Sequence, residues 1–68
     1  MPTKHHYDRH GKEIAYTTDG KHLYDTRGHD IGYMVRNEIY DRHGKQTGYI
    51  RNGIIYDTRG REIGSVGK

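Results

Sequence analysis

Tyr40-Asp41-Arg42-His43-Gly44-Lys45 decides the fold, because the chain carries this stretch four times in recognisable form. Tyr favours strands, Asp bonds the backbone ahead of it, and Gly accepts the positive φ of a tight reversal, so each copy is a strand end entering a turn. The copies start at Tyr7, Tyr24, Tyr40 and Tyr56, giving units 7–23, 24–39, 40–55 and a truncated 56–68. Four residues after each Tyr comes a Gly (Gly11, Gly28, Gly44, Gly60), and four further on a small residue (Ala15, Gly32, Gly48, Gly64). A period of 16 or 17 residues has room for one hairpin per unit and none for a helix pair. Tyr7 to Lys12 is identical to Tyr40 to Lys45, and Tyr24 to Gly28 matches Tyr56 to Gly60, so the units alternate as twins and imply duplication of a two-hairpin half.

The turns between units set the register. Asn52-Gly53 is a strong two-residue hairpin signal, and closing it pairs Ile50 with Ile55 and Tyr49 with Tyr56. Arg36-Asn37 takes the same place and pairs Tyr33 with Tyr40. The extra residue of the first unit fits a Thr18-Asp19-Gly20 loop with Gly20 left-handed, which puts Tyr16 opposite His22. All seven Tyr then share one face with Ile14, Ile31, Thr47 and Ile63. Leu23, Met34, Ile39, Ile50, Ile55 and Val66 fall on the other face, with Ala15, Gly32, Gly48 and Gly64. A flat sheet with two apolar faces would expose one of them, so the eight short strands must curl about an axis, dimerise, or both. Gly within a strand marks close backbone approach, which places the glycine face inward and the Tyr rings between neighbouring hairpins.

Composition bounds the rest. A chain of 68 residues is one domain with a thin core. With 29% apolar residues and no Phe or Trp, that core must be partly phenolic. Strict patterning and a net charge of only +3 argue against disorder. The absence of Cys excludes a disulfide framework and fits a reducing compartment such as the cytoplasm. No apolar run approaches the roughly 20 residues of a spanning helix, so no membrane role is expected. The lead, residues 1–6, is polar and is expected to fray.

The four Tyr-Asp-x-x-Gly-x-x-Ile-Gly-Tyr units, joined by Asn-Gly-like turns, look like the four-fold beta flower proteins, small bacterial proteins of β-hairpins set as petals around a pseudo-four-fold axis. The likeness runs from Tyr7 to Val66 and implies an all-β fold of four repeated hairpins in up-and-down order, with a miniature eight-stranded barrel as the alternative. It implies no activity. Ala15 in place of Gly, Thr47 in place of Ile and Ser65 in place of Tyr make the petals unequal, and the last petal is expected to be the loosest.

No catalytic constellation of nucleophile, base and orienter is present in the repeats, so no enzyme and no cofactor are expected. The Tyr-Asp turns carry seven Lys and Arg against seven carboxylates, so their rim is neutral and reads as solvated turns. Six His invite a metal, but none has ligand spacing and no metal site is expected. The net positive charge lies elsewhere, on Lys4, Lys21, Arg36, Arg51 and Lys68 against Asp19 and Glu38. The leading expectation is a non-catalytic module that docks a protein partner through its Tyr face or hairpin ends, with inhibition on behalf of a mobile element as a specialisation. Self-association into a homodimer or higher oligomer through one apolar face is expected as well. The alternative is nucleic-acid or nucleotide binding, with Lys21, Arg36 and Arg51 as cations and Tyr33 and Tyr49 as stacking groups.

Overall fold

The computed structural model describes residues 3–67. Eight antiparallel strands follow one another: β1 Lys4–Asp8, β2 Glu13–Thr17, β3 His22–Tyr24, β4 Asp30–Val35, β5 Glu38–Asp41, β6 Gln46–Arg51, β7 Ile54–Asp57 and β8 Glu62–Val66. They close into a barrel in sequence order, β8 pairing with β1 through His6↔Val66, Tyr7↔Ser65 and Asp8↔Gly64. The petals and the miniature barrel are therefore one object, 27 × 26 × 19 Å and wider than it is tall.

Each Tyr-Asp turn is built the same way. The Asp8 Oδ1 accepts the backbone N–H groups of His10 and Lys12, and Asp25, Asp41 and Asp57 repeat the arrangement with Arg27 and His29, His43 and Lys45, and Arg59 and Arg61. The Gly of each turn has φ between 83° and 88°, a region that costs a side-chain-bearing residue about 1–2 kcal/mol. Just before every turn the register slips by one residue, at His6/Tyr7, Leu23/Tyr24, Ile39/Tyr40 and Ile55/Tyr56. Four bulges at equivalent places bend the strands and let so small a sheet close.

The inner face carries two sets of four. His6, Leu23, Ile39 and Ile55 precede the Tyr of each unit, and Thr17, Met34, Ile50 and Val66 follow the next aromatic position. Gly32, Gly48 and Gly64 fill the space between them because a Cβ there would land on the carbonyl oxygen of Tyr40, Tyr56 or Tyr7 of the adjacent strand. The Tyr side chains lie outside in cross-strand stacks that bridge neighbouring Tyr-Asp hairpins. Tyr33 and Tyr40 have centroids 5.3 Å apart and planes 11° apart; Tyr49 with Tyr56 and Tyr16 with Tyr24 repeat the geometry. Such pairs contribute about 0.5–1.5 kcal/mol each beyond their burial.

Pairing of Ile50 with Ile55, Tyr49 with Tyr56 and Tyr33 with Tyr40 is as the hairpin turns require. Four expectations are corrected, among them that the last petal is the loosest. The strand β1 begins at Lys4, so Lys4, His5 and His6 are part of the barrel and His6 is buried; Met1 and Pro2 of the expected lead lie outside the described residues. Tyr16 faces Tyr24, not His22. Gly20 is left-handed at φ 77°, but Thr17 Oγ1 accepts its N–H while Asp19 Oδ1 accepts those of Lys21 and His22, which widens the loop to four residues, 18–21. The sparsest seam is β2–β3, with one paired position, whereas the last strand pairs at three positions on each side. Ala15 stands in this seam where the other units have Gly.

Candidate functional site

The molecule has two unlike ends. One carries the four Tyr-Asp turns. Their carboxylates accept backbone N–H groups, and that holds Asp8, Asp25, Asp41 and Asp57 below the usual carboxylate range, the largest cause in each being the N–H four residues ahead. The side-chain contacts here, His29 Nδ1 with Asp25 and Arg61 with Asp57, are long at 3.4 Å and open to water, so they contribute little. Among the described residues no three His, Asp or Glu side chains converge as a metal centre would need.

The other end carries the β2–β3, β4–β5 and β6–β7 hairpins together with the start of β1 and the end of β8. Here the backbone passes hydrogen bonds from each hairpin to the next strand: Met34 N–H to the Lys21 carbonyl, Ile50 N–H to Asn37, Val66 N–H to Gly53. Inside this collar a cavity of about 530 Å³ opens to the hairpin side. Met34, Ile50 and Val66 form three of its walls, His6 and Thr17 the fourth, and Lys4, Asp19 and Arg36 stand at its rim.

The residues expected to bind divide between two outer grooves. Lys21, Tyr33 and Arg36 line one, with Asp19 and His22; Tyr49 and Arg51 line the other, with Glu38. The Arg51 guanidinium carbon lies 6.0 Å from the centre of the Tyr49 ring. Tyr33 already stacks on Tyr40 and Tyr49 on Tyr56, so one face of each ring is covered. Glu38 accepts the Tyr40 hydroxyl at 2.7 Å, and that bond to a carboxylate raises the Tyr40 phenol above its ordinary value. Of the five residues expected to bind, Arg36 reaches both an outer groove and the cavity rim.

Sequence reasoning missed His6 and Thr17. Both are only 2% exposed, and they sit on neighbouring strands as the two polar members of an otherwise aliphatic interior. Burial lowers the His6 pKa, so the ring is neutral at physiological pH. Every fully covered side-chain nitrogen or oxygen among the described residues has a partner, yet the His6 ring makes no hydrogen bond to them, so its nitrogens open onto the cavity. A signal was present: the residues before each unit's Tyr read His6, Leu23, Ile39 and Ile55, and those at the paired inner position read Thr17, Met34, Ile50 and Val66. Both departures belong to the first unit's strands.

The sequence profile of a family described as 4-fold beta flower protein matches residues 4–68, nearly the whole chain. Among curated proteins none matches the chain, and among solved structures none does either. The chain belongs to the 4-fold beta flower family, and its eight-stranded barrel is the form that family's hairpins take here.

Proposed function

We propose that this beta flower protein is a non-catalytic binding module that docks the acidic face of a protein partner through the hairpin end of its barrel. One observation carries the reading: the two ends differ in charge. The Tyr-Asp turn end holds as many carboxylates as Lys and Arg, each Asp tied into its own loop, whereas the hairpin end holds Lys4, Lys21, Arg36 and Arg51 against Asp19 and Glu38. A localised excess of one sign steers an oppositely charged partner and fixes its orientation. The rigid barrel supports this use, since loops presented by a fixed scaffold lose little freedom on binding. Repetition of the same groups in four units supports a non-catalytic role, because an acid–base site needs unlike groups at one place.

Binding to an immobilised Glu-rich peptide at low salt tests the reading. The Arg36→Glu, Arg51→Glu double variant should lose capture, and the Arg42→Glu, Arg59→Glu double variant at the opposite end should retain it. Equal losses from both pairs would leave no role for the hairpin end. A fluorescent single-stranded oligonucleotide, run beside the peptide, separates a nucleic-acid partner: tighter binding to it than to the peptide, falling steeply with salt, would replace the protein partner by a phosphate backbone.

A further inference from the structure

We propose that the cavity at the barrel mouth binds a small monocarboxylic acid carrying a short apolar stem. This goes beyond the outer charge of the hairpin end, since it concerns the interior and rests on His6 and Thr17.

Donors outnumber free acceptors around the barrel mouth. The backbone carbonyls of Lys21, Asn37 and Gly53, which would otherwise face the mouth as acceptors, already receive the N–H groups of Met34, Ile50 and Val66. Asp19 at the rim is spent within its own loop: one carboxylate oxygen accepts the N–H groups of Lys21 and His22 and the other meets His22 Nδ1 at 2.8 Å. Thr18 and Asn37 can act either way, and the remaining groups are donors. Thr17 Oγ1 accepts the Gly20 N–H at 2.9 Å, so its hydroxyl proton is left to donate. The neutral His6 ring has one N–H to give, and its nitrogens open onto the same space. Lys4 and Arg36 stand at the rim beside Asp19, and neither is in an ion pair among the described residues. A carboxylate accepts at both oxygens and donates nothing, which is the group this set of donors fits.

The stem follows from the other three walls. Met34, Ile50 and Val66 are partly buried apolar side chains packed on the core of Ala15, Leu23, Ile39 and Ile55, and they face His6 and Thr17 across the cavity. A volume of about 530 Å³ lies within the range of small-ligand sites, where apolar walls and a few placed polar groups are the rule. The position of His6 also needs an account that packing does not supply. Its equivalents are Leu23, Ile39 and Ile55, and a buried imidazole without a hydrogen-bond partner among the described residues costs stability that Leu would not. A ligand carboxylate supplies the missing partner.

The test uses hexanoate, hexan-1-ol and hexylammonium, three molecules with one stem and different heads, titrated into the protein and followed through the His6 ring and the Met34 methyl resonances. Hexanoate should move both and bind about tenfold more tightly than the alcohol, the ratio expected for one hydrogen bond to a charged group. His6→Leu and Thr17→Val should each weaken hexanoate by about tenfold; His6→Leu should melt no lower than the parent, and Thr17→Val, which gives up the Gly20 N–H bond, should melt only slightly lower and stay folded. Equal binding of hexan-1-ol or hexylammonium would overturn the carboxylate assignment. Undiminished hexanoate binding by both folded variants, or none by the folded parent, would overturn the site. Neither outcome depends on the Arg36 and Arg51 reversals that test protein docking.

Discussion

The β6–β7 and β2–β3 hairpins are copies of one repeat, yet the first is paired at four positions and the second at one. Both keep their Tyr stack. They differ beneath it. Gly48 lets β6 lie against the Tyr56 carbonyl, while Ala15 brings a methyl to the same place; a tight Asn52-Gly53 turn is exchanged for a wider loop at 18–21; and Ile50 gives way to Thr17. The comparison teaches that aromatic stacking on the outer surface does not need a complete ladder below it. It also shows the departures from four-fold symmetry gathered in one quarter, where the loosened seam, the buried His6 and the wall of the cavity adjoin.

Forcing the tight seam open is the most severe way to break this comparison. Gly48→Ala should destabilise the protein by about 3 kcal/mol, since the new Cβ meets backbone that cannot move aside, and its melting point should fall by more than about 10 °C. Ala15→Gly, the reverse exchange in the loose seam, should change stability by less than about 1 kcal/mol, the ordinary penalty of Gly in a strand offset by closer pairing. Urea titration of both variants makes the measurement.

His6→Leu sharpens it from the interior. The variant should gain about 1 kcal/mol at neutral pH, because an imidazole without a hydrogen-bond partner among the described residues is replaced by an apolar group. The gain should grow in acid. Burial lowers the His6 pKa in the folded state, so the unfolded chain binds the proton more readily, and parent stability falls as the pH drops below about 6.5 toward the folded value. The variant should lack that loss and share with the parent only the decline below about pH 4, where the turn carboxylates, held low in the folded state, take up protons.

Two milder substitutions carry the comparison around the barrel. At the β8–β1 closure Ser65 faces Tyr7, where the other three seams have a pair of Tyr, and Gly11 lacks the covering hydroxyl that Tyr16, Tyr33 and Tyr49 place over Gly28, Gly44 and Gly60. Ser65→Tyr should complete a fourth stack and add about 1 kcal/mol, visible as a higher melting point and stronger near-ultraviolet dichroism. Arg36 holds φ 59° without being Gly or Asn. Arg36→Asn, which puts the residue type of Asn52 at the one left-handed position of this turn and leaves Asn37 in place, should raise stability by about 0.5–1 kcal/mol.

The sequence disclosed most of the fold because period-two alternation, Asp-x-x-Gly turns and an Asn-Gly hairpin all act locally and agree with one another. Register failed only at 18–21, where the side chains of Thr17 and Asp19, each bonding nearby backbone, compete with the shorter loop that Gly20 would otherwise allow. The binding surface was less legible. Lys21, Arg36, Arg51, Tyr33 and Tyr49 lie at or near the hairpins of successive repeats, but the barrel divides them between two grooves and stacking covers one face of each ring. His6 looked like part of a tail because the unit appears to start at Tyr7. Only closure of β8 onto β1 buries it, and that is a contact between the two ends of the chain.

Closure has a consequence for how this protein meets others. A sheet with a free edge offers a row of backbone groups to any extended peptide, the route by which many domains recruit partners and by which small β-proteins form fibrils. Here β1 and β8 occupy each other's edge. Recruitment by strand addition is thereby closed off along most of the circumference, and only β2–β3, joined at Tyr16↔Tyr24 alone, keeps a stretch that an invading strand could prise apart. A partner that does not enter there must read side chains and loops.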